Sequence, residues 1–227
     1  YVQAGNVQNR GIELTLGYDQ TFGDFNYNTT FTATSNKNKI KKLASDVKNP
    51  VSGELMDLSD IKLGRFRLRE GGEVGALYAD RRVERNDEGY IPYTPGQTIA
   101  TENTTPFKIG TVNPKWNLGW RHGFNYKGIN ASVMFTARIG GNVISKTQAT
   151  LDRFGVSKTS ADARETGYVM LGNIKMEPQD YYGTIYDLDS YYVYSATNIR
   201  LQEASIGYTL PNKWFGNVVK NVNVSVY

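Results

Sequence analysis

The chain has 227 residues and no cysteine, which removes thiolate metal sites, thiol nucleophiles and disulfide staples together. Compartment is left open, since proteins of every compartment lack cysteine. Histidine is nearly absent too: His122 is the single one. Neither a catalytic triad nor a multi-histidine metal site is built from it. Between Arg121 and Gly123 in a strand-like segment, it reads as a lumen or interface residue. No run of ~18 apolar residues occurs, so transmembrane helices are excluded. Neither sign of charge dominates: the net charge is +4 and Lys and Arg are spread along the chain, so no nucleic-acid partner is expected. Nothing fixes two of the 22 acidic residues at a separation suited to glycoside hydrolysis. Gly71-Gly72 and Gly140-Gly141 lack the strand–loop–helix context of a phosphate site and read as bends or turns. No enzymatic activity, metal or cofactor is expected. The opening YVQAGNVQNRG has no basic segment leading into an apolar one, so no signal peptide is read there.

Long alternation of apolar and polar residues dominates what is present. In Phe25–Ala33, Phe25, Tyr27, Thr29, Phe31 and Ala33 share one face and Asn26, Asn28, Thr30 and Thr32 the other. In Ala131–Ile139, Ala131, Val133, Phe135, Ala137 and Ile139 oppose Ser132, Met134, Thr136 and Arg138. A strand changes face at every residue, so each segment has one dry and one wet side. The mean hydropathy of −0.49 suits a water-soluble chain. It suits a membrane barrel equally, because a barrel strand shows only every second residue to lipid. Tyr (16) exceeds Phe (9) and Trp (3), and Gly reaches 23, which fits interfacial girdles and strand bends better than a dry core.

About seven strands are expected: Asn9–Tyr18, Phe25–Ser35, a less regular Lys62–Tyr78 that Gly71-Gly72 and Gly75 interrupt with a turn or bulge, Lys115–Tyr126, Ile129–Ile139, Tyr191–Leu210 and Asn221–Tyr227. Asp19–Asp24, Lys127-Gly128 and Pro211–Asn217 are the short connections, and Lys37–Ile61 and Gly140–Ser190 the long ones. Lys127-Gly128 complicates an assignment of all short connections to one side. Asp80–Pro114 reads as loop, with Pro92, Pro95, Pro106 and Pro114. Ser160–Gly167 is a short helix inside the late excursion. In Tyr191–Leu210, the longest expected strand, Ile199 and Leu201 are out of phase with Ala204, Ile206 and Tyr208. A bulge near Gln202-Glu203 restores the parity. The final strand puts Val222, Val224 and Val226 opposite Asn223, Ser225 and Tyr227, and it reads as cut short. Seven strands is odd and below the minimum of eight for a bacterial barrel, and an open sheet in lipid leaves unpaired edges. The expectation is therefore an incomplete barrel.

Three blocks carry a family resemblance. Asn6–Leu16 (NVQNRGIELTL) resembles the N-x-G-x-E-L strand of TonB-dependent outer-membrane receptors. Val112–Gly128 (VNPKWNLGWRHGFNYKG), running into Gly140-Gly141, is similar to the P-x-W…F-x-Y-K-G…G-G hairpin of the SusC/RagA family. Tyr192–Pro211 (YVYSATNIRLQEASIGYTLP) looks like that family's Y-V-x-x-A-x-x-x-R-L-x-x-x-x-x-G-Y-x-L-P block, the most specific of the three. The resemblance implies an all-β fold: residues 1–227 as the C-terminal portion of a 22-stranded antiparallel transmembrane barrel, with the plug domain and last strands absent. It implies import of oligosaccharides or peptides across the outer membrane of a Gram-negative bacterium of Bacteroidota type. The partners it implies are a SusD-like surface lipoprotein, TonB acting through the missing N-terminal region, outer-membrane lipid, and a dimer of the barrel–lid pair. A soluble β-sandwich binding module and a passive porin are the alternatives; an upstream plug with a TonB box separates a transporter from a porin.

The late excursion gathers the substrate-binding candidates: Asp180, Asp187 and Asp189 with Tyr181, Tyr182 and Tyr186. Carboxylates beside aromatics can hold a sugar or, through oxygens, a calcium ion, although the spacing is not that of an EF-hand loop. The bland alternative is a solvated loop packed on its partner. Arg65, Arg67 and Arg69 alternate on one strand face; they either line a polar lumen or pair with acids on neighbouring strands.

Overall fold

The computed structural model describes residues 5–44, 47–216, 218–219 and 222–227. Its elements are β1 (Gly5–Phe22), β2 (Phe25–Leu43), β3 (Asp60–Leu63), β4 (Phe66–Arg69), β5 (Ala76–Val83), β6 (Thr101–Thr111), β7 (Trp116–Tyr126), β8 (Ile129–Ile139) and β9 (Asn142–Ile144). There follow α1 (Lys146–Arg153), α2 (Lys158–Thr166), β10 (Val169–Leu171), β11 (Ile174–Met176), α3 (Pro178–Ile185), β12 (Val193–Ser195) and β13 (Asn198–Thr209). A 3-10 helix, Asn212–Phe215, and β14 (Asn223–Val226) end the chain. The fold is mostly antiparallel β and divides into two compact units. One, the loop body, comprises Tyr1–Gln8, Lys39–Asn113 and Gly141–Ser195; the other, the wall, comprises Asn9–Asn38, Pro114–Gly140 and Ala196–Tyr227.

The wall is built on a sheet ordered β1-β2-β7-β8-β13-β14. Its register decides its chemistry. Phe31 pairs with Trp120, Trp120 with Phe135, and Phe135 with Leu201. Four residues along, Tyr27 pairs with Phe124, Phe124 with Ala131, Ala131 with Ile206, and Ile206 with Val226. Directly paired residues point to the same side of a sheet, so one apolar face runs unbroken across five strands. The opposite face is wet: Thr30 pairs with Arg121 and Arg121 with Met134, while Ser132 pairs with Ser205. There the Ser132 hydroxyl donates to Glu203 Oε1 at 2.9 Å. Gly123 lies on this side because Asn28 crosses it; a Cβ there would come within 2.5 Å of Asn28 Oδ1.

The apolar face is exposed: Ile12 to 66%, Trp120 to 50%, Ile199 to 78% and Ile206 to 61%. A contiguous exposed apolar face of this kind is uncommon on soluble monomers and marks a surface that something covers. Each large side chain left in water forgoes roughly 1.5–3 kcal/mol of burial free energy. Its few polar groups satisfy one another. The Tyr27 hydroxyl and His122 Nδ1 are 2.8 Å apart, and Trp120 Nε1 donates to Thr29 Oγ1 at 3.0 Å. His122, Thr29's partner in register, therefore belongs to the apolar face and not to the wet one. Rings cluster around it, with Tyr27–Phe124 centroids at 5.3 Å and Tyr18–Tyr27 at 6.3 Å. β7 and β8 are 11 residues each. At about 3.3 Å per residue and a tilt near 45°, such a strand rises ~25 Å, the height of a barrel's apolar band.

The expected bulge is present. The β8–β13 register shifts between Leu201 and Glu203, leaving Gln202 as the extra residue. That one insertion returns Ala204, Ile206 and Tyr208 to the apolar face. The short turns, including Lys127-Gly128, all fall at one end of the sheet: Phe25 pairs with Tyr126, Ile129 with Tyr208, and Thr209 with Asn223. Lys127 (φ 47°) and Gly128 (φ 90°) both take positive φ, as a two-residue hairpin of the I′ kind requires. Both long connections leave the strands at the other end.

Several expectations are corrected. Lys62–Tyr78 is no wall strand. Gly64, Gly71 and Gly75, at φ 63°, 79° and 95°, break it into pieces of β3, β4 and β5, which join β6 in a separate four-stranded sheet. β6 lies within the supposed loop Asp80–Pro114, at the edge of that sheet, and Pro106 sits where its register is irregular. β2 continues to Leu43, well into the expected loop Lys37–Ile61, because Ile40 is buried and exchanges backbone hydrogen bonds with Gly71 and Gly72. Tyr191–Leu210 is broken near Ala196: β12 pairs with β9, and β13 starts at Asn198. The longest strands are instead β1 and β2, of 18 and 19 residues. Gly140–Ser190 holds three helices; α2 coincides with the expected one. Asn217 and Asn221, at the ends of two expected segments, lie outside the described residues.

The loop body has its own core, into which Val83 of β5, Ile99, Ala149 of α1, Met176 of β11, Ile185 of α3 and Leu188 pack. Two excursions distant in sequence thus share one hydrophobic centre. Ser145 and Ser157 cap α1 and α2, each accepting a backbone N–H three residues on at 3.1 Å, and Pro178 opens α3.

Deleting Gln202 tests the register. A continuous β13 turns Ala204, Ile206 and Tyr208 to the wet face, and the purified protein should lose its cooperative thermal transition. Gln202→Ala keeps the backbone count and should melt like the wild type. A wild-type transition in the deletion would contradict this register.

Candidate functional site

The candidate residues lie on and just after α3, in the loop body, and separate into two groups. Tyr181 and Tyr182 are buried in the core, at 7% and 6% exposure. Tyr181 shares a 2.7 Å hydroxyl contact with Tyr191 and meets Tyr182 edge-on at 5.0 Å. Burial first, then the Tyr191 hydrogen bond, pushes the Tyr181 phenol far above its usual range; burial, then the Asp152 carboxylate, raises Tyr182 and Tyr192. These rings support the body and are almost wholly buried. Tyr186 is half-buried, with the Arg153 guanidinium 4.0 Å from its centroid. Asp180 is exposed in the first turn of α3.

Asp187 and Asp189 are brought together with the basic residues that the sequence singled out. Asp189 accepts from Arg65 Nε at 2.9 Å and lies 2.7 Å from Lys146 Nζ. Asp187 lies 3.3 Å from Arg81. Both aspartates border a cavity of ≈ 170 Å³ with Arg65, Arg67 and Arg81. Arg67 and Arg69 converge on Asp60 Oδ2 at 2.6 and 2.5 Å. Asp60 sits on β3, the strand beside their own, so the reading of these arginines as partners of neighbouring acids fits the geometry. The Arg69 hydrogen bond, with Arg67 beside it, holds the Asp60 carboxyl below the usual carboxylate range.

Two further cavities were not legible in the sequence. An open one of ≈ 620 Å³ is bordered by the Arg82–Glu102 ion pair, Glu84, Arg85, Ser190 and Tyr191. Another, of ≈ 320 Å³, is bordered by Arg153, Phe154, Arg164, Gln179 and Tyr182. Their residues come from β5, β6 and three short helices, and no spacing in the chain announces that they meet. No group of three or more metal-ligating side chains is found among the described residues.

The wall is thus an open antiparallel sheet with one wet and one exposed apolar face, its short turns sharing one end. No family model matches the chain. The TonB-dependent receptor P3 of Formosa agariphila is 25% identical over 236 residues, which cover 93% of this chain and 22% of that protein. The fold is similar to the RagAB peptide importer in its 'closed-closed' state, with a TM-score of 0.65 at 17% identity over 99% of this chain and 26% of that one. For the 'open-open' state the TM-score is 0.63 at 18% identity, over 98% and 26%. The chain thus spans about a quarter of the length of the proteins it matches. They are a receptor and an importer, not enzymes.

Two substitutions separate strong from weak ion pairs. Asp189→Asn leaves two basic groups without their half-buried partner and should destabilise the loop body by about 1–2 kcal/mol. Asp187→Asn, at a more exposed pair, should cost less than ~0.5 kcal/mol. Thermal melting of the purified protein measures both, and equal effects would contradict the assignment. Asp60 adds a pH dependence. Its folded pKa lies below the ordinary aspartate value of 3.8, so its contribution is full above that value and fades as pH falls through the folded one. The stability gap between wild type and Asp60→Asn should therefore be constant from pH 7 to 5 and shrink below pH 4.

Proposed function

We propose that this chain is part of the β-barrel of a TonB-dependent outer-membrane importer of the SusC/RagA kind, residues 1–227 forming a C-terminal portion of the barrel. The observation that carries the reading is the register of the wall, which sorts apolar and polar side chains onto opposite faces over five strands. The apolar face meets outer-membrane lipid, and the wet face, with Arg121, Ser132 and Glu203, lines a lumen. The Tyr27, His122, Trp120 and Thr29 groups on the apolar side lie near the middle of β7 and bond one another, as polar groups inside an apolar band must. The short turns face the periplasm and the long excursions the exterior.

The wall shapes the pore and does no chemistry. A plug outside these residues closes the lumen, and TonB, reached through the N-terminal region, supplies the energy to move it. A SusD-like surface lipoprotein covers the external loops, and the barrel–lid pair assembles as a dimer. The cargo is an oligosaccharide or a peptide; the RagAB importer, to which the fold is similar, carries peptides by its description. Asp180, Asp187, Asp189 and Tyr186 remain the cargo- or lid-facing candidates of the α3 region. A soluble sandwich is disfavoured by the exposure of the apolar face.

Uptake separates the remaining readings. Deleting the gene should abolish uptake of the labelled oligosaccharide or peptide that the bacterium accumulates, and a protonophore should do the same in the wild type. Uptake that survives the protonophore would make the protein a passive porin. Uptake unchanged by the deletion would remove it from import.

A further inference from the structure

The loop body contains eight arginines. Five of them, Arg65, Arg67, Arg69, Arg81 and Arg82, are paired with carboxylates, and Arg85 donates to the Gly89 carbonyl at 2.7 Å. The other two, Arg153 and Arg164, have no acidic partner among the described residues, and both border the same ≈ 320 Å³ cavity. Both are exposed, and neither is free to collapse. Arg153 is held between rings, its guanidinium 4.0 Å from the Tyr186 centroid and 5.8 Å from that of Phe154. Arg164 lies over the α1–α2 turn, where Gly155, at φ 68°, has no side chain to displace it. Asp152 also borders the cavity, but its carboxylate is buried and accepts from Gln148 Nε2 at 2.7 Å. Phe154, 67% exposed, offers an apolar platform beside the two cations.

We infer that this cavity is a binding site for a carboxylate-bearing ligand, with Arg153 and Arg164 donating to the carboxylate and Phe154 lying against its apolar part. A guanidinium presents paired N–H donors in a plane that matches a carboxylate, and holding two in place beforehand lowers the ordering cost of binding. The inference rests on the import reading, in which the ligand is acidic cargo; acidic peptide and acidic oligosaccharide share the chemistry.

The test uses the natively extracted protein and isothermal titration. The probes are triglutamate against triglutamine, and trigalacturonate against its neutral methyl ester. The acidic member of at least one pair should bind ~10-fold or more tightly than its neutral partner, and which pair responds identifies the source. Arg153→Gln with Arg164→Gln should erase that preference while the melting temperature stays within a few degrees. Equal binding within both pairs, or no binding, overturns the site without any variant. A preference that survives the double substitution in a folded protein overturns it too. Energy-dependent uptake of a neutral cargo would persist in those cases, so the import reading fails separately.

Discussion

Backbone pairing between β2, β7, β8 and β13 is the constraint on which the rest of the wall depends. A strand reverses its face at every residue, so a slip of one position anywhere in the ladder would mix the two faces. The chain holds the register with a two-residue turn at Lys127-Gly128 and corrects it with one inserted residue at Gln202. Close packing on the wet side adds to this, since Gly123 has no room for a side chain beside Asn28. The result is a sheet whose apolar side chains have no place in water. In the import reading proposed above, lipid removes this cost, and the self-satisfied pairs Tyr27–His122 and Trp120–Thr29 are what polar groups need within an apolar band.

The loop body answers to different physics. Its core is small and rich in tyrosine, and within it the Tyr181 hydroxyl meets that of Tyr191. Its sheet and its helices are joined by charge as well as by apolar packing: Arg65 and Lys146 meet on Asp189, and Arg81 reaches Asp187. Excursions this long are stable only with a core of their own, and the one between β8 and β13 acquires it by sharing residues with the segment from β5 to β6. A rigid body of this kind can hold cavities in fixed shape, as a binding surface requires.

How much of this was legible in the sequence follows from the range of the interactions. Phe25–Ala33 and Ala131–Ile139 declare their faces through period two alone, and the parity break before Ala204 announced the bulge. In Lys62–Tyr78 the glycines announced the interruption, but not that its pieces join a separate sheet with β6, which is a matter of long-range pairing. The helices α1 and α3 were missed although Ser145 and Pro178 mark their starts; each is 8 residues long, too short for a helical period to stand out. The burial of Tyr181 and Tyr182 could not be read at all, since a tyrosine in a polar segment looks the same whether it meets solvent or a core built by residues a hundred positions away. The unpaired state of Arg153 and Arg164 is likewise a property of the assembled body.

Labelling from within the bilayer tests the central claim most directly. An apolar diazirine that partitions into lipid is photolysed in native outer membranes, and the protein is mapped by peptide mass. Label should appear on Trp120, Phe135, Leu201 and Ile206, with none on Arg121, Thr136 or Ser205, their neighbours on the wet face. Label absent from the first group, or shared evenly between the two, would contradict a wall with one face in lipid.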